Sequence, residues 1–244
     1  MRLSIIIPIY KRPKQAMRHI EECMKSTRLP DEIIVVNDGG EPIDITSIKR
    51  NVPIIYAVIE EDILWNYNGA VNLGCWLSTG DVLAIEDCDH IPAKDTYEKG
   101  IKALEQNPDV DRISWGRQIV QKEDIDKPME EWKSTGSLGT NQMVAFLRRD
   151  VYLKLKGQDE RLCGRYGYMS YDFPWRRDKI LKCKSLKQSY YWAVFGDQGE
   201  PGLKRGLSTE NRKIYHENVN ANKLHSQYGI LNFHFTYVRL KEEE

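Results

Sequence analysis

A mostly parallel α/β sheet with helices on both faces is the architecture this sequence predicts. Three observations carry it: short, nearly continuous apolar runs, intervening stretches with apolar residues at helical spacing, and polar signatures at the ends of successive runs. A run that is apolar at every residue reads as a strand buried on both faces, and strand–helix alternation supplies the covering layers.

Leu3 to Ile9 (LSIIIPI) is the first such run. Pro13 then suits the first turn of a helix, where its missing N–H costs nothing. Met17, Ile20, Cys23 and Met24 recur at three and four residues and give that helix one apolar face. Leu29 and Pro30 close it, and Glu32 to Val36 (EIIVV) is a second buried strand, ending at Asn37, Asp38, Gly39 and Gly40. A third run, Val52 to Ile59, is interrupted early by Pro53. Gly69 to Ser78 carries Ala70, Leu73 and Leu77 at helical spacing, and Val82 to Ile85 is again a buried strand. The second half is less regular. Tyr97, Ile101 and Leu104 predict a helix, Arg112 to Trp115 a strand, and the polar stretch Lys122 to Thr140 a long loop. Gln142 to Leu147 predicts a strand leading into a short helix at Asp150 to Leu155. Gly196 to Arg212, rich in glycine and charge, is expected to be a mobile loop, the kind that serves as a lid.

At 244 residues the chain has room for one large domain or two small ones. Lysine plus arginine equals aspartate plus glutamate, 36 each, so no bulk basic field draws nucleic acid or a membrane surface. An anionic partner must be held by a local site. The five cysteines form no Cys-x-x-Cys pair and read as reduced thiols of a cytoplasmic protein. No leader precedes the first strand, and no apolar run approaches the roughly 18 residues that span a bilayer.

Parallel sheets bind ligands beyond the carboxyl ends of their strands. Three such ends are polar here: Tyr10 to Arg12, Asn37 to Gly40, and Glu86 to His90. The last is the most informative, because the strand Val82 to Ile85 delivers two carboxylates, Asp87 and Asp89, onto one loop. Two like charges held close are unfavourable unless a cation or hydrogen-bonding ligand joins them, which points to a divalent metal that also meets a phosphate. The plainer alternatives are an exposed acidic loop at Asp87 and Asp89, and an ordinary turn at Asn37 to Gly40.

The stretches IIIPIYKRP, EIIVVNDGG, NGAVNLGCWLSTGD and IEDCDH, in this order, resemble the nucleotide-binding half of family-2 glycosyltransferases, which adopt the GT-A fold. AFLRRDVYLKLKGQDERLCGRYGYMSYDFPWRR resembles the acceptor-side segment of the same family. The resemblance implies transfer of a sugar from a nucleoside diphosphate donor to an acceptor hydroxyl, with inversion and with Mn²⁺ or Mg²⁺. It implies that Pro8, Ile9, Tyr10 and Arg12 line the base and ribose pocket, that Asp38 accepts a hydrogen bond from the base, and that Asn72 belongs to the nucleotide site. It assigns Asp87 to ribose and metal, Asp89 to the metal directly, and a C-terminal histidine, best His216, as a third ligand. Trp65, Tyr166 and Tyr168 are the aromatic candidates for the acceptor, against the alternative of core packing.

Two departures stand out. Where many relatives read Gly-Ala-Arg-Asn, this chain reads Gly69, Ala70, Val71, Asn72, and Lys11, Arg12, Lys204 and Arg205 are the candidates to supply the missing charge. Where the acceptor-side motif carries its catalytic base, this chain has Ser170, preceded by Met169. Asp172 is then the candidate base, with an ion pair to Arg176 as the competing role. The expectation is one GT-A domain over 1–244, with a nucleotide-sugar and metal half at 1–115, an acceptor and catalytic half at 116–244, and loop 196–212 closing over the donor. A UDP-sugar is the first donor expected and a GDP-sugar the second, for glycan or polysaccharide synthesis. The rival reading is a sugar-nucleotide-binding module that has lost its base.

Overall fold

The computed structural model describes residues 1–195, 206–226 and 231–242. Residues 196–205, most of the loop expected to be mobile, lie outside this set, as do Lys204 and Arg205. The fold opens as the apolar runs predict. β1 (Leu3–Ile9) is buried at every residue, α1 (Pro13–Cys23) starts on its proline, and β2 (Glu32–Asn37) is again wholly buried. β3 (Ile54–Ile59) begins just after Pro53, since proline has no N–H to give a ladder. α2 (Tyr67–Leu77) and β4 (Val82–Ile85) follow, then the short β5 (His90–Pro92) and α3 (Thr96–Gln106).

Beyond this point the chain departs from expectation in extent. β6 (Arg112–Gln121) runs well past Trp115, so the sequence boundary at 115 falls inside a strand, at a register shift between Trp115 and Gly116. The stretch expected as a loop after it contains β7 (Gly136–Leu138), which pairs with β6. β8 (Ala145–Arg148) and α4 (Arg149–Lys154) match the predicted strand and short helix to within a few residues. Three further elements are new, α5 (Met169–Ile180), β9 (Cys183–Phe195) and α6 (Thr209–Asn220), and β10 (Phe235–Leu240) is the closing strand that Phe233 to Phe235 suggest, starting at its last residue. The first turn of α6 takes up Thr209 to Arg212, the end of the segment expected to be a loop.

The strands form one sheet in the order β10-β3-β2-β1-β4-β8-β6-β9-β5, with β7 beside β6. β3, β2, β1 and β4 are mutually parallel, with Ile5 opposite both Ile33 and Ala84, while β10 and β8 flank that core antiparallel. The parallel core brings the ends of β1, β2 and β4 to one rim. Its two faces bury separate apolar clusters. Ile5, Ile7, Ile20, Val35 and Tyr97 lie in one, and Ile6, Val71, Leu83, Leu147 and Phe173 in another. Burial of this kind contributes about 25 cal/mol per Å² of apolar surface and fixes the rim from beneath. Among the described residues, no helix is long and apolar enough to cross a membrane.

Candidate active site

The rim joins three strand ends. At the end of β1, Lys11 takes a left-handed backbone (φ 53°) and its N–H donates to the Gly39 carbonyl at 3.3 Å. The Asp38 N–H donates to the Ile9 carbonyl at 2.8 Å, so the two strand ends close on each other. Gly39 (φ 139°) has to be glycine, because a Cβ there would lie 2.9 Å from the Tyr10 ring and 2.8 Å from Asp62. Pro8 and Ile9 are buried in the strand beneath.

Asp38 is buried, and Asn66, just before α2, donates to its Oδ1 at 2.7 Å. Burial pushes the Asp38 carboxyl up to about 8, opposed by the Asn66 bond and reinforced by the charge of Asp62. Asn66 carries no motif signature; its position before the predicted helix was the only available hint.

Asp87, Asp89 and His90 bring their ligand atoms within 4.8 Å of one another at the end of β4. The two carboxylate side chains are 25% and 27% exposed, so both are reachable from solvent. Arg12 lies 3.3 Å from Asp89 Oδ2, and His90 Nδ1 lies 2.6 Å from Asp89 Oδ1. On its other nitrogen, His90 Nε2 faces Arg117 Nη1 at 3.1 Å and Asn141 Nδ2 at 3.3 Å. A guanidinium can only donate, so Nε2 is the acceptor and Nδ1 carries the proton given to Asp89. Asn141 also donates to Asp87 Oδ2 at 3.1 Å. Burial and the charge of Asp89 raise the Asp87 carboxyl, with His90 opposing. Burial pulls Asp89 the same way, but the His90 bond together with the charge and bond of Arg12 outweighs it and holds Asp89 below the usual range.

Behind this loop Glu86 is fully buried. Tyr191 donates to its Oε1 at 2.6 Å, while Tyr97 (2.8 Å) and His19 Nε2 (2.7 Å) meet Oε2. Cys23 completes the group at 3.9 Å from the same oxygen. His19, Cys23 and Glu86 have the donor types of a metal cage. Their spacing is that of hydrogen bonds, however, since donors around a tetrahedral zinc stand roughly 3.3–3.7 Å apart. The cluster is an internal brace, one residue from Asp87.

The remaining predicted residues are placed as follows. Asn72 is buried and its amide is fully used: Tyr152 O–H (2.6 Å) and Gln158 N–H (2.9 Å) donate to it, and it donates to the Gln158 carbonyl (3.0 Å) and Glu160 (2.8 Å). It ties α2 to the Gly157–Glu160 turn and has no amide group left for a nucleotide. Asp172 is fully buried in the first turn of α5; Arg176 Nε donates to its Oδ2 at 2.9 Å and Asn218 to its Oδ1 at 2.8 Å. Of the two roles weighed for Asp172, this is the ion pair. Ser170, two residues earlier in the same turn, is exposed. His216 is exposed on α6 with its ring 5.3 Å from Tyr215; the histidine beside Asp87 and Asp89 is His90. Trp65 and Tyr166 stack at 4.7 Å between centroids, and Tyr168 lies with Tyr171 and Tyr215.

The rim thus carries one buried carboxyl and two open ones, and comparison with known proteins gives the chain a family. The model of "Glycosyl transferase family 2" matches residues 4–193. The chain belongs to this family. Among curated relatives, the amylovoran biosynthesis glycosyltransferase AmsE of Erwinia amylovora is 23% identical over 77% of this chain and 65% of its own. The uncharacterized glycosyltransferase YwdF of Bacillus subtilis is 31% identical over 43% of this chain and 39% of its own. This family-2 chain thus spans less than two thirds of either relative. Among solved structures, S. aureus TarS 1–349 in complex with UDP-GlcNAc superposes with a TM-score of 0.68 at 15% identity, over 94% of this chain and 68% of that one. The fold is therefore GT-A.

Proposed function

We propose that this protein transfers a sugar from a nucleoside diphosphate donor, a UDP-sugar first among the candidates, to an acceptor hydroxyl with inversion. The observation that carries the reading is the shared rim, with Asp38 at the end of β2 and Asp87 and Asp89 at the end of β4. Pro8, Ile9 and Tyr10 wall the base, Asp38 meets a planar N–H of it, and Arg12 turns from Asp89 toward the diphosphate. The UDP-GlcNAc bound by TarS supports a uridine donor for a protein of the same fold.

Two accessible carboxylates suit a hard divalent cation, so Asp87 and Asp89 would hold Mn²⁺ or Mg²⁺. His90 would orient Asp89 through its Nδ1 proton rather than bind the ion, because Arg117 occupies its other nitrogen. Such an ion supplies charge neutralisation for the departing diphosphate. The acceptor hydroxyl attacks the anomeric carbon and releases its proton to solvent, the bond to the diphosphate breaks, and Arg12 meets part of the charge that develops on the departing diphosphate. The Asp172 carboxylate holds Arg176 and the acceptor half in place.

One observation favours a second reading. With Asp172 paired and Ser170 at the position of the usual base, the described residues supply no open carboxylate there. This is the arrangement of a module that binds a nucleotide sugar without transferring it. Calorimetric titration of UDP and GDP, with Mn²⁺ and then with EDTA, tests what both readings share; no binding of either nucleotide rejects both. Release of free sugar or transfer product from a bound UDP-sugar then separates them. A cytoplasmic location remains part of the proposal, supported by the five free cysteines.

A further inference from the structure

We propose that Tyr168, Tyr171 and Tyr215 form an outer saccharide subsite, which makes the acceptor a chain of two or more sugar units. The three rings meet on the surface where α5 begins beside α6. Tyr168 lies 5.6 Å from Tyr215 with the planes 34° apart, and 5.7 Å from Tyr171; Tyr171 and Tyr215 are 6.3 Å apart. None of the three belongs to the buried apolar clusters, and Tyr171 is 54% exposed.

The arrangement is built rather than incidental. Tyr168 sits in a left-handed backbone conformation (φ 66°), which is unfavourable for a bulky side chain. The turn before it is held by Asn211 of α6, fully buried, whose amide lies within hydrogen-bond distance of the carbonyls of Leu162 (2.9 Å), Arg165 (3.1 Å) and Gly167 (2.9 Å). One asparagine thus fixes the strained turn against the helix that carries Tyr215.

A second aromatic pair precedes this patch by two residues and stands beside the rim. Tyr166, two residues before Tyr168, stacks on Trp65, also left-handed (φ 57°), and Asn66 next to Trp65 bonds Asp38. Two aromatic groups, Trp65 with Tyr166 and Tyr168 with Tyr171 and Tyr215, therefore follow each other along the chain from the rim toward α5 and α6. Their chemistry selects the occupant. Each outer ring carries a hydroxyl beside an apolar face, the combination that suits the CH faces and hydroxyls of a sugar. A strip longer than one ring asks for more than one sugar.

The inference rests on the sugar-transfer reading for its acceptor, and the test keeps the two apart. Wild type, Tyr171→Ala, Tyr215→Ala and the corresponding Phe variants are applied to a printed array of mono- to hexasaccharides containing hexose, N-acetylhexosamine and uronate units. Binding is quantified by saturation-transfer NMR, and UDP titration runs in parallel. The expected result is binding that strengthens from mono- to tetrasaccharide in wild type. Each alanine weakens the longer ligands roughly three- to tenfold, the scale of one aromatic contact. Phenylalanine restores most of that loss, and UDP binding is unchanged throughout. Saccharide binding that ignores both alanines, or no saccharide binding by wild type, overturns the subsite. Ring-dependent saccharide binding without UDP binding keeps the subsite and removes the nucleotide-sugar reading.

Discussion

Asp172→Asn distinguishes a structural ion pair from a catalytic base. In the wild type both partners are almost wholly buried, Asp172 at 0% and Arg176 at 1% exposure. Arg176 Nε donates to Asp172, and Nη1 donates to the Gly157 carbonyl at 2.9 Å. Asparagine can still accept from Asn218 through its oxygen, but its amide then faces Arg176 Nε, donor against donor, and the guanidinium loses its counter-charge. Breaking one side of a buried pair costs about 3–5 kcal/mol. For a chain of this size that lowers Tm by roughly 6–20 °C. Replacing both partners, Asp172→Leu with Arg176→Met, removes the stranded charge and is expected to recover most of the loss. The assay is thermal and urea unfolding of the two single variants and the double. An Asp172→Asn protein that melts within about 2 °C of wild type, yet has lost activity by ~10²-fold or more, would refute the argument and return Asp172 to the role of base.

Other consequences can be measured on the same protein. Because Asp38 keeps its proton to about pH 8 when folded, whereas the unfolded chain releases it near the ordinary Asp value, its contribution to stability falls as pH rises from about 4 to about 8. Asp38→Asn should flatten that part of the Tm–pH profile while weakening nucleotide binding; an unchanged profile refutes the burial argument. His90→Ala removes the bond that orients Asp89 and is expected to lower Mn²⁺ affinity roughly 10- to 100-fold, read by titrating Mn²⁺ in the presence of UDP. Tyr191→Phe deletes the 2.6 Å bond to Glu86 and should destabilise the fold by about 1.5–3 kcal/mol. The check is a fall in urea midpoint at constant slope.

The parallel core was legible because its strands are apolar at every residue; LSIIIPI and EIIVV allow few other readings. α5 was not legible. It carries Pro174 in its interior and puts Asp172, Arg176 and Arg177 on its buried side, so no apolar stripe marks it. β9 was missed because its first half, CKSLKQS, is polar enough to pass for a loop. The site divides in the same way. Asp38, Asp87 and Asp89 could be singled out because they follow buried strands, and the structure sets them on one rim. Asn66, Arg117, Asn141 and Asn218 act through partners 27 to 51 residues distant, and a lone polar residue in sequence does not announce such a bond. Asn72 shows the same limit in reverse: it stands in a recognisable motif, but the long-range contacts to Gln158 and Glu160 determine what its amide does.

Those contacts bear on how the two halves work together. Asn68 and Asn72 of α2 hold the Asp159 and Gln158 carbonyls at 2.8 and 3.0 Å. Asn218 of α6 lies within 3.2 Å of Asp159 and 2.8 Å of Asp172, and Arg161 bonds both Asp159 and Asn218. α2, which begins directly after the Asn66 that bonds Asp38, is therefore joined by buried hydrogen bonds to both helices that carry the outer tyrosines. Satisfied polar networks of this kind specify one arrangement, because each bond broken inside leaves a desolvated group behind. A rigid link from α2 to α5 and α6 holds Tyr168, Tyr171 and Tyr215 at a set distance from Asp38, so on the proposed reading the surface offered to an acceptor is preformed.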